Sequence, residues 1–492
     1  MEPGVRDKRM IGIILNDNGY EQDIRELLMA FFPGEPFVHQ RQEGLEVCVE
    51  GTVQEDRLGF SLEVCSREPA CCIRRRIPVD YDCRPEAKNR IKQELYRILS
   101  EITGRQLPWG SLTGIRPVKI AMTRLEEGCP EEAVRLYMKD TYFASHGKID
   151  LSIEIARRER QLLADLDYEK GYSLYVGIPF CPTTCLYCSF TSFPIGKWKG
   201  KTGLYLDALE KELDYVAGKR GGQGPDTVYI GGGTPTSLEP EDLRRLLGKL
   251  RSAFDFSGVR EFTVEAGRPD SITADKLRVL RDFGVTRISI NPQTMKQETL
   301  ELIGRRHSVE DVRRQFHLAR ELGFDNINMD LIIGLPEEGL SDVQATMEAI
   351  AALGPDSITV HSLAIKRAAR LNTMKEVYKD LKITGTQEMI DLTADYARRM
   401  GLEPYYLYRQ KNMAGNFENV GYAAPGKACI YNVLIMEEKQ TIIGCGAGTT
   451  TKRVIPGENR IERCENVKEV AQYIERIDEM IGRKETLFGC NR

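Results

Sequence analysis

An α/β fold centred on a parallel sheet, with a mixed domain ahead of it and a small α+β region behind, follows from three features of the 492-residue chain. First, short apolar, β-rich runs recur from residue 173 onward: SLYVGI, TVYIGG, EFTVEA, RISIN, NINMDLII and SITVHSL. Second, segments with helical spacing lie between them, such as GLYLDALEKELDYVAGK, PEDLRRLLGKLRSAF, ADKLRVLRDFG, VEDVRRQFHLARELGF and LSDVQATMEAIAALG. Third, the strand runs are continuously apolar rather than alternating, as expected where helices cover the sheet. Strands joined by helical crossovers must be parallel neighbours. Six such units in roughly 190 residues fall short of the ~250 of a closed eight-fold barrel. The expectation is an open, partial (β/α)6 barrel.

The elements divide the chain at 1–168, 169–375 and 376–492. In the first part, LEVCVEGTVQEDRLGFSLEVC alternates like an antiparallel hairpin and EAKNRIKQELYRILSEI has helical spacing. In the last, QEMIDLTADYARRMGL reads as a helix, and CIYNVLIMEEKQTIIGCGAG as two short strands joined by a turn. No internal repeat exists beyond the β/α alternation.

Composition narrows the class. Hydrophobic content of 41% and charged content of 29% are ordinary for a globular protein. A net charge of −4 offers no basic field for nucleic acid. The start, MEPGVRDKRM, lacks the apolar core of a signal peptide. No run approaches the ~18 apolar residues of a membrane span. Thirteen cysteines, without a small-domain framework around them, point to a reducing interior, hence the cytoplasm. On the same ground the vicinal Cys71 and Cys72 read as inert thiols.

The chemistry is concentrated after the first strand of the core, where YVGIPFCPTTCLYCSF carries Cys181, Cys185 and Cys188. A zinc site would need a further ligand pair about 12–20 residues on, and the next cysteine is Cys429. Zinc completed by Cys429 or Cys445 is the competing reading. Three thiolates instead suit an iron–sulfur cube with one iron left open. In sheets of this kind ligands bind at the carboxyl ends of the strands. There stand GGGTPT (231–236), whose glycines admit a ligand close to the backbone, then Glu265, Gln293 and Asp330 on the next three strands. His361 ends the sixth strand, and the basic run AIKRAARL (364–371) follows it. Arginines there would suit a substrate bearing carboxylates.

Together these residues resemble the radical S-adenosylmethionine enzymes, specifically the oxygen-independent coproporphyrinogen III oxidase family. The likeness rests on the cysteine loop, GGGTPT, VEA, NPQT, LIGRRH, MDLIIGLP and the small C-terminal region, so it spans roughly 170–450. WGSLTGIRPVK (109–119) resembles the longer, HemZ-like (coproporphyrinogen dehydrogenase) branch.

The resemblance implies a [4Fe-4S] cluster on Cys181, Cys185 and Cys188, its open iron chelating S-adenosylmethionine. It implies that Tyr175 and Tyr187 pack near that cofactor, that Gly232, Gly233, Thr234 and Glu265 contact it, and that Ala364 adjoins it. It puts Gln293, Arg305 and Asp330 where a second S-adenosylmethionine or the substrate binds, as catalytic candidates, and GCGAGTT (444–450) in a turn over the cofactor. The implied reaction is reductive cleavage to a 5′-deoxyadenosyl radical, hydrogen abstraction from a propionate of coproporphyrinogen III, and loss of carbon dioxide to leave a vinyl group. A monomer served by a flavodoxin- or ferredoxin-type electron donor is implied as well. Two positions depart from the oxidase pattern: Gly177 replaces a histidine, and Phe190 a cysteine. Phe190 matches the haem-chaperone relatives, so haem delivery, or another radical reaction on a tetrapyrrole, is the alternative.

Overall fold

The computed structural model describes residues 10–54, 59–366, 368–374, 376–378, 380–410, 417–458 and 460–489. The polar start before residue 10, the turn of the predicted hairpin at 55–58 and Arg367 of the basic run lie outside the described residues. Two compact units form: Met1–Ala156 with Tyr408–Glu418, and Arg157–Leu407 with Asn419–Arg492. Among the described residues no helix is long and apolar enough to cross a membrane.

In the first unit, strands β1 (Met10–Leu15), β2 (Phe37–Val38), β3 (Leu45–Val53), β4 (Gly59–Ser66) and β5 (Cys71–Pro78) form a sheet in the order β2-β1-β3-β4-β5. Helices α1 (Glu21–Phe31) and α2 (Arg84–Thr103) bury Ile24, Leu28, Ile91 and Leu95 in one core with Val47, Val49, Leu62 and Val64 of the sheet. Alternation sends the intervening residues outward, where Glu50, Glu63 and Arg74 lie in one row. The same register sets Cys65 opposite Cys72, and the two are joined in a disulfide. Sequence alone reads Cys72 as an inert thiol because a cross-strand partner is visible only once register is known. Helices α3 (Val118–Glu126), α4 (Glu131–Tyr142) and α5 (His146–Leu163) follow. The fully buried Trp109 donates from Nε1 to Glu418 Oε2 at 2.8 Å, and Lys148 pairs with the other oxygen of that carboxylate.

The second unit is built on β6 (Tyr172–Ile178), with the short pair β7 (Phe180–Cys181) and β8 (Phe193–Pro194) just beyond it. There follow α6 (Thr202–Lys219), β9 (Thr227–Gly232), α7 (Pro240–Ala253), β10 (Glu261–Gly267), α8 (Ala274–Asp282) and β11 (Arg287–Ile290). Next come α9 (Gln297–Leu302), α10 (Val309–Glu321), β12 (Ile327–Ile333), α11 (Leu340–Leu353) and β13 (Ser357–Ser362). The six long strands lie side by side, parallel and in chain order, as their apolar runs predict. Beyond β13, after α12 (Arg370–Thr373) and α13 (Gln387–Arg399), β15 (Asn419–Ala423) and then β14 (Glu403–Tyr408) extend it.

The C-terminal segment corrects one expectation. Residues 430–437 form helix α14 (Ile430–Glu437) rather than a strand. A short apolar run does not distinguish the two by periodicity. The Glu261 carboxylate, from the start of β10, accepts the Ile430 N–H at 2.7 Å and so satisfies a donor at that helix terminus. After it, β16 (Thr441–Cys445) pairs parallel with β6, and β17 (Thr450–Ile455) and β18 (Arg460–Glu465) continue the sheet antiparallel, to eleven strands among the described residues. Helices α15 (Val470–Glu475) and α16 (Ile477–Gly489) come last among the described residues.

Candidate active site

The cysteine loop leaves the carboxyl end of β6 and is pinned from beneath by Leu186. That side chain is buried with Leu300, Ile303, Ile332, Leu335 and Leu363. Its N–H donates to Ile303 O at 2.9 Å, and its carbonyl accepts from Leu371 N at 3.0 Å. Anchoring Leu186 positions Cys185 and Cys188 on either side of it. Burial raises the Cys181 thiol and pushes Cys188 up to about 11. Among the described residues no three His, Cys, Asp or Glu side chains converge on a single ion. Three cysteines in one short loop suit a cube, in which each thiolate takes its own iron. Cys429 is engaged elsewhere, its thiol donating to Glu261 Oε1 at 3.2 Å.

The glycine turn after β9 abuts the loop. Gly232 has φ +111°, in the region that favours glycine. A Cβ on Gly233 would stand 2.5 Å from Phe180 O, so no other residue fits without moving backbone. Thr234 Oγ1 lies 3.5 Å from Cys181 Sγ. Beside the turn, Tyr175, Tyr229 and Tyr431 stack with centroids 5.9, 6.0 and 4.5 Å apart. Tyr229 donates its hydroxyl proton to Glu265 Oε1 at 2.6 Å. Burial, with a smaller contribution from Asp330, raises the Glu265 carboxyl to about 7.

Gln293 adopts φ +71° without being glycine, and its buried Oε1 has no hydrogen-bond partner. Gln293 thus combines a strained backbone with an orphaned acceptor. Arg305, 6% exposed, donates to Asn291 O and to Tyr187 Oη at 3.3 Å, while its Nε lacks a partner. Asp330 accepts from Asn328 Nδ2 at 2.7 Å and stands 3.9 Å from His361 Nε2. Ala364, half-buried, lies just beyond β13. A cleft of about 900 Å³ opens at the loop, lined by Thr183, Thr184, Glu301, Arg305, Arg306 and Arg370 among others.

The two divergent positions have physical settings. At Gly177 a Cβ would meet Thr449 Cγ2 at 2.5 Å, so the turn between β16 and β17 occupies the space a side chain would need. That turn is held from below: Glu212 accepts from Gly446 N at 2.8 Å, Tyr473 Oη, Asn466 Nδ2 at 2.8 Å and Lys484 Nζ at 2.6 Å, all buried. Phe190 is 70% exposed, with Lys366 Nζ 5.6 Å from its ring centroid.

Sequence reasoning passed over Arg268, Asp270 and His307, which lie against the loop. Arg268 reaches Thr183 O at 3.0 Å and Cys185 Sγ at 3.7 Å while pairing with Asp270. Burial alone would raise the Asp270 carboxyl, yet His307 and Arg268 hold it below its ordinary value. The available signal was a charged residue between the glycine and proline of AGRPD at a strand end, which reads locally as a turn.

Residues 175–350 match the Radical SAM superfamily model. Over 82% of its length the chain is 42% identical to the oxygen-independent coproporphyrinogen-III oxidase-like protein HemZ of Bacillus subtilis (strain 168), covering 82% of that protein. The chain belongs to the radical SAM superfamily. Within it, the chain is a member of the HemZ- and HemN-like group, and its cofactors are a [4Fe-4S] cluster and S-adenosylmethionine. Heme chaperone HemW of Bacillus subtilis (strain 168) is 39% identical over 39% of this chain and 51% of its own. Among solved structures, the radical SAM enzyme coproporphyrinogen III oxidase (HemN) from Escherichia coli superposes with a TM-score of 0.53 at 26% identity. It covers 65% of this chain and 72% of its own. The residues present fit a radical SAM cofactor pair: three cysteines in one short loop, a glycine turn beside them that a side chain would crowd, and buried polar atoms of Gln293 and Arg305 without hydrogen-bond partners.

Proposed function

We propose that the protein catalyses the anaerobic oxidative decarboxylation of two propionates of coproporphyrinogen III to vinyls, giving protoporphyrinogen IX. The observation that carries this reading is the cleft beside Thr183 and Thr184, lined by three arginines, Arg305, Arg306 and Arg370. A porphyrinogen with four carboxylates needs such partners, because arginine binds carboxylates through two parallel hydrogen bonds.

In this reading Cys181, Cys185 and Cys188 hold the cluster, and Gly232, Gly233, Thr234 and Glu265 seat S-adenosylmethionine. When bound, the pair would supply hydrogen-abstracting radical chemistry. Glu265, once ionised, receives the ammonium of the cofactor's methionine end. The tyrosine stack of Tyr175, Tyr229 and Tyr431 excludes water from that side. In this reading the partnerless Gln293 Oε1 and Arg305 Nε would supply an acceptor and a donor, and Asp330, 3.9 Å from His361 Nε2, would act beside them. The electron donor in this reading is a flavodoxin- or ferredoxin-type protein, and the compartment is the cytoplasm.

Phe190 favours a second reading, haem carriage, since it presents an exposed aromatic surface next to the third cysteine. One anaerobic incubation separates the two. With coproporphyrinogen III, reductant and an electron acceptor, products lighter by one or two units of carbon dioxide plus two hydrogens are expected. Unchanged coproporphyrinogen together with tight haem binding would overturn the oxidase reading in favour of the carrier.

A further inference from the structure

Arg268 follows β10 directly and turns beneath the cysteine loop. Its side chain is 3% exposed, and the guanidinium is engaged at each nitrogen. Nε donates to Asp270 Oδ1 at 2.9 Å and Nη2 to Asp270 Oδ2 at 2.6 Å. Nη1 donates to Thr183 O at 3.0 Å and Thr183 Oγ1 at 2.7 Å, and stands 3.7 Å from Cys185 Sγ, within reach for a sulfur acceptor. Behind Asp270, the buried His307 places Nδ1 at 3.8 Å from Oδ1, and neither of its ring nitrogens has a hydrogen-bond partner.

A structural clamp would need only the fork on Asp270 and the bonds to Thr183. Nothing in that task calls for an N–H aimed at the middle cysteine of the triplet. A guanidinium cannot lose its proton in a protein, so the donor is permanent. Hydrogen bonds to ligating sulfurs and the local charge are what set iron–sulfur potentials, and burial strengthens both. A bond to the Cys185 thiolate draws density off the sulfur and favours the reduced, more negative cluster. Asp270 works in the opposite direction by cancelling part of the guanidinium charge.

We propose that Arg268 is a tuning residue of the cluster: its Nη1–H bond to Cys185 raises the cluster's reduction potential, and Asp270 limits how far. This rests on the reading that Cys181, Cys185 and Cys188 hold the cluster.

The test is a potentiometric titration of the reconstituted full chain without S-adenosylmethionine, following the reduced-cluster resonance and the iron content of each variant. Arg268→Gln should lower the reduced-to-oxidised ratio at fixed ambient potential about tenfold, which for a one-electron couple is about 59 mV. Asp270→Asn should raise that ratio, because it leaves the arginine uncompensated. Arg268→Lys, which keeps the charge without the fork, should fall between Arg268→Gln and the unmodified protein. Opposite signs for the two principal variants separate tuning from a loosened loop. An iron-replete Arg268→Gln with an unchanged ratio overturns the proposal, as does a fall in both Arg268→Gln and Asp270→Asn. If Arg268→Gln fails to retain iron, Asp270→Asn and Arg268→Lys decide by the same signs. Full iron in Cys185→Ala would instead overturn the ligand assignment, a failure visible in iron content and not in potential.

Discussion

Glu265 titrates inside the range where the protein is handled. Its carboxyl stands at about 7 against an ordinary 4.5, so the folded chain holds this proton more tightly than the unfolded chain does. Its contribution to stability therefore declines as pH rises from the unfolded value to about 7, and is level above that. Ligand binding runs the other way. An ammonium group needs the ionised carboxylate, so S-adenosylmethionine should bind roughly tenfold more weakly at pH 6 than at pH 8, following the ionised fraction. Calorimetric titration across that interval checks it, and Glu265→Gln should abolish the slope. A slope unchanged in Glu265→Gln would remove Glu265 from the cofactor contact. Gly177 gives a second prediction at this scale. Restoring a histidine with Gly177→His forces Thr449 aside, at a cost of about 1–3 kcal/mol in denaturant unfolding. Thr449→Ala in the same chain should recover most of that loss, since the colliding atom is the threonine methyl.

Among the elements, α16 contributes Lys484 to a buried pair with Glu212 of α6. Lys484→Met would leave that carboxylate buried without its cation and should cost about 3 kcal/mol, at the low end for a broken buried pair because other donors remain. The Gly446–Thr449 turn hangs from the same carboxylate, so amide exchange there should accelerate in that variant. This coupling was not legible beforehand, because nothing links Glu212 to Lys484 until α6 and α16 are brought together. The six parallel strands were legible, since a strand buried on both faces advertises itself as an unbroken apolar run. The cysteine triplet and glycine turn were legible for a related reason: tight spacing leaves few chemical alternatives. Helix α14 was not, because the partner at its start is tertiary. Glu261 lies far away in sequence, and no local pattern announces its bond to Ile430 N. Arg268 escaped notice likewise, since its partner Thr183 lies in a different β/α unit.

For the molecule as a whole, the expected holoprotein carries about four irons per chain, one cube on three thiols. Anaerobic reconstitution should reach that stoichiometry, and air should bleach it. Cys185→Ala should fall well below it, by iron assay, while keeping the parallel sheet.

The eleven-stranded sheet also has a history in time. Ser173 on β6 donates to Gln440 Oε1, just before β16, although 267 residues separate them. At about 5–20 residues per second, synthesis leaves the outer edge of β6 without its neighbour for roughly 15–50 s. Throughout that interval a hydrophobic strand carrying the cysteine loop presents unpaired N–H and C=O groups, the condition under which chains pair with one another instead. The nascent protein thus passes through a window in which the thiols are reachable and the edge is adhesive. A chain stopped at Glu438 would be held in that window permanently. It should sediment as aggregates when translated without chaperones, whereas the full-length chain stays in the supernatant.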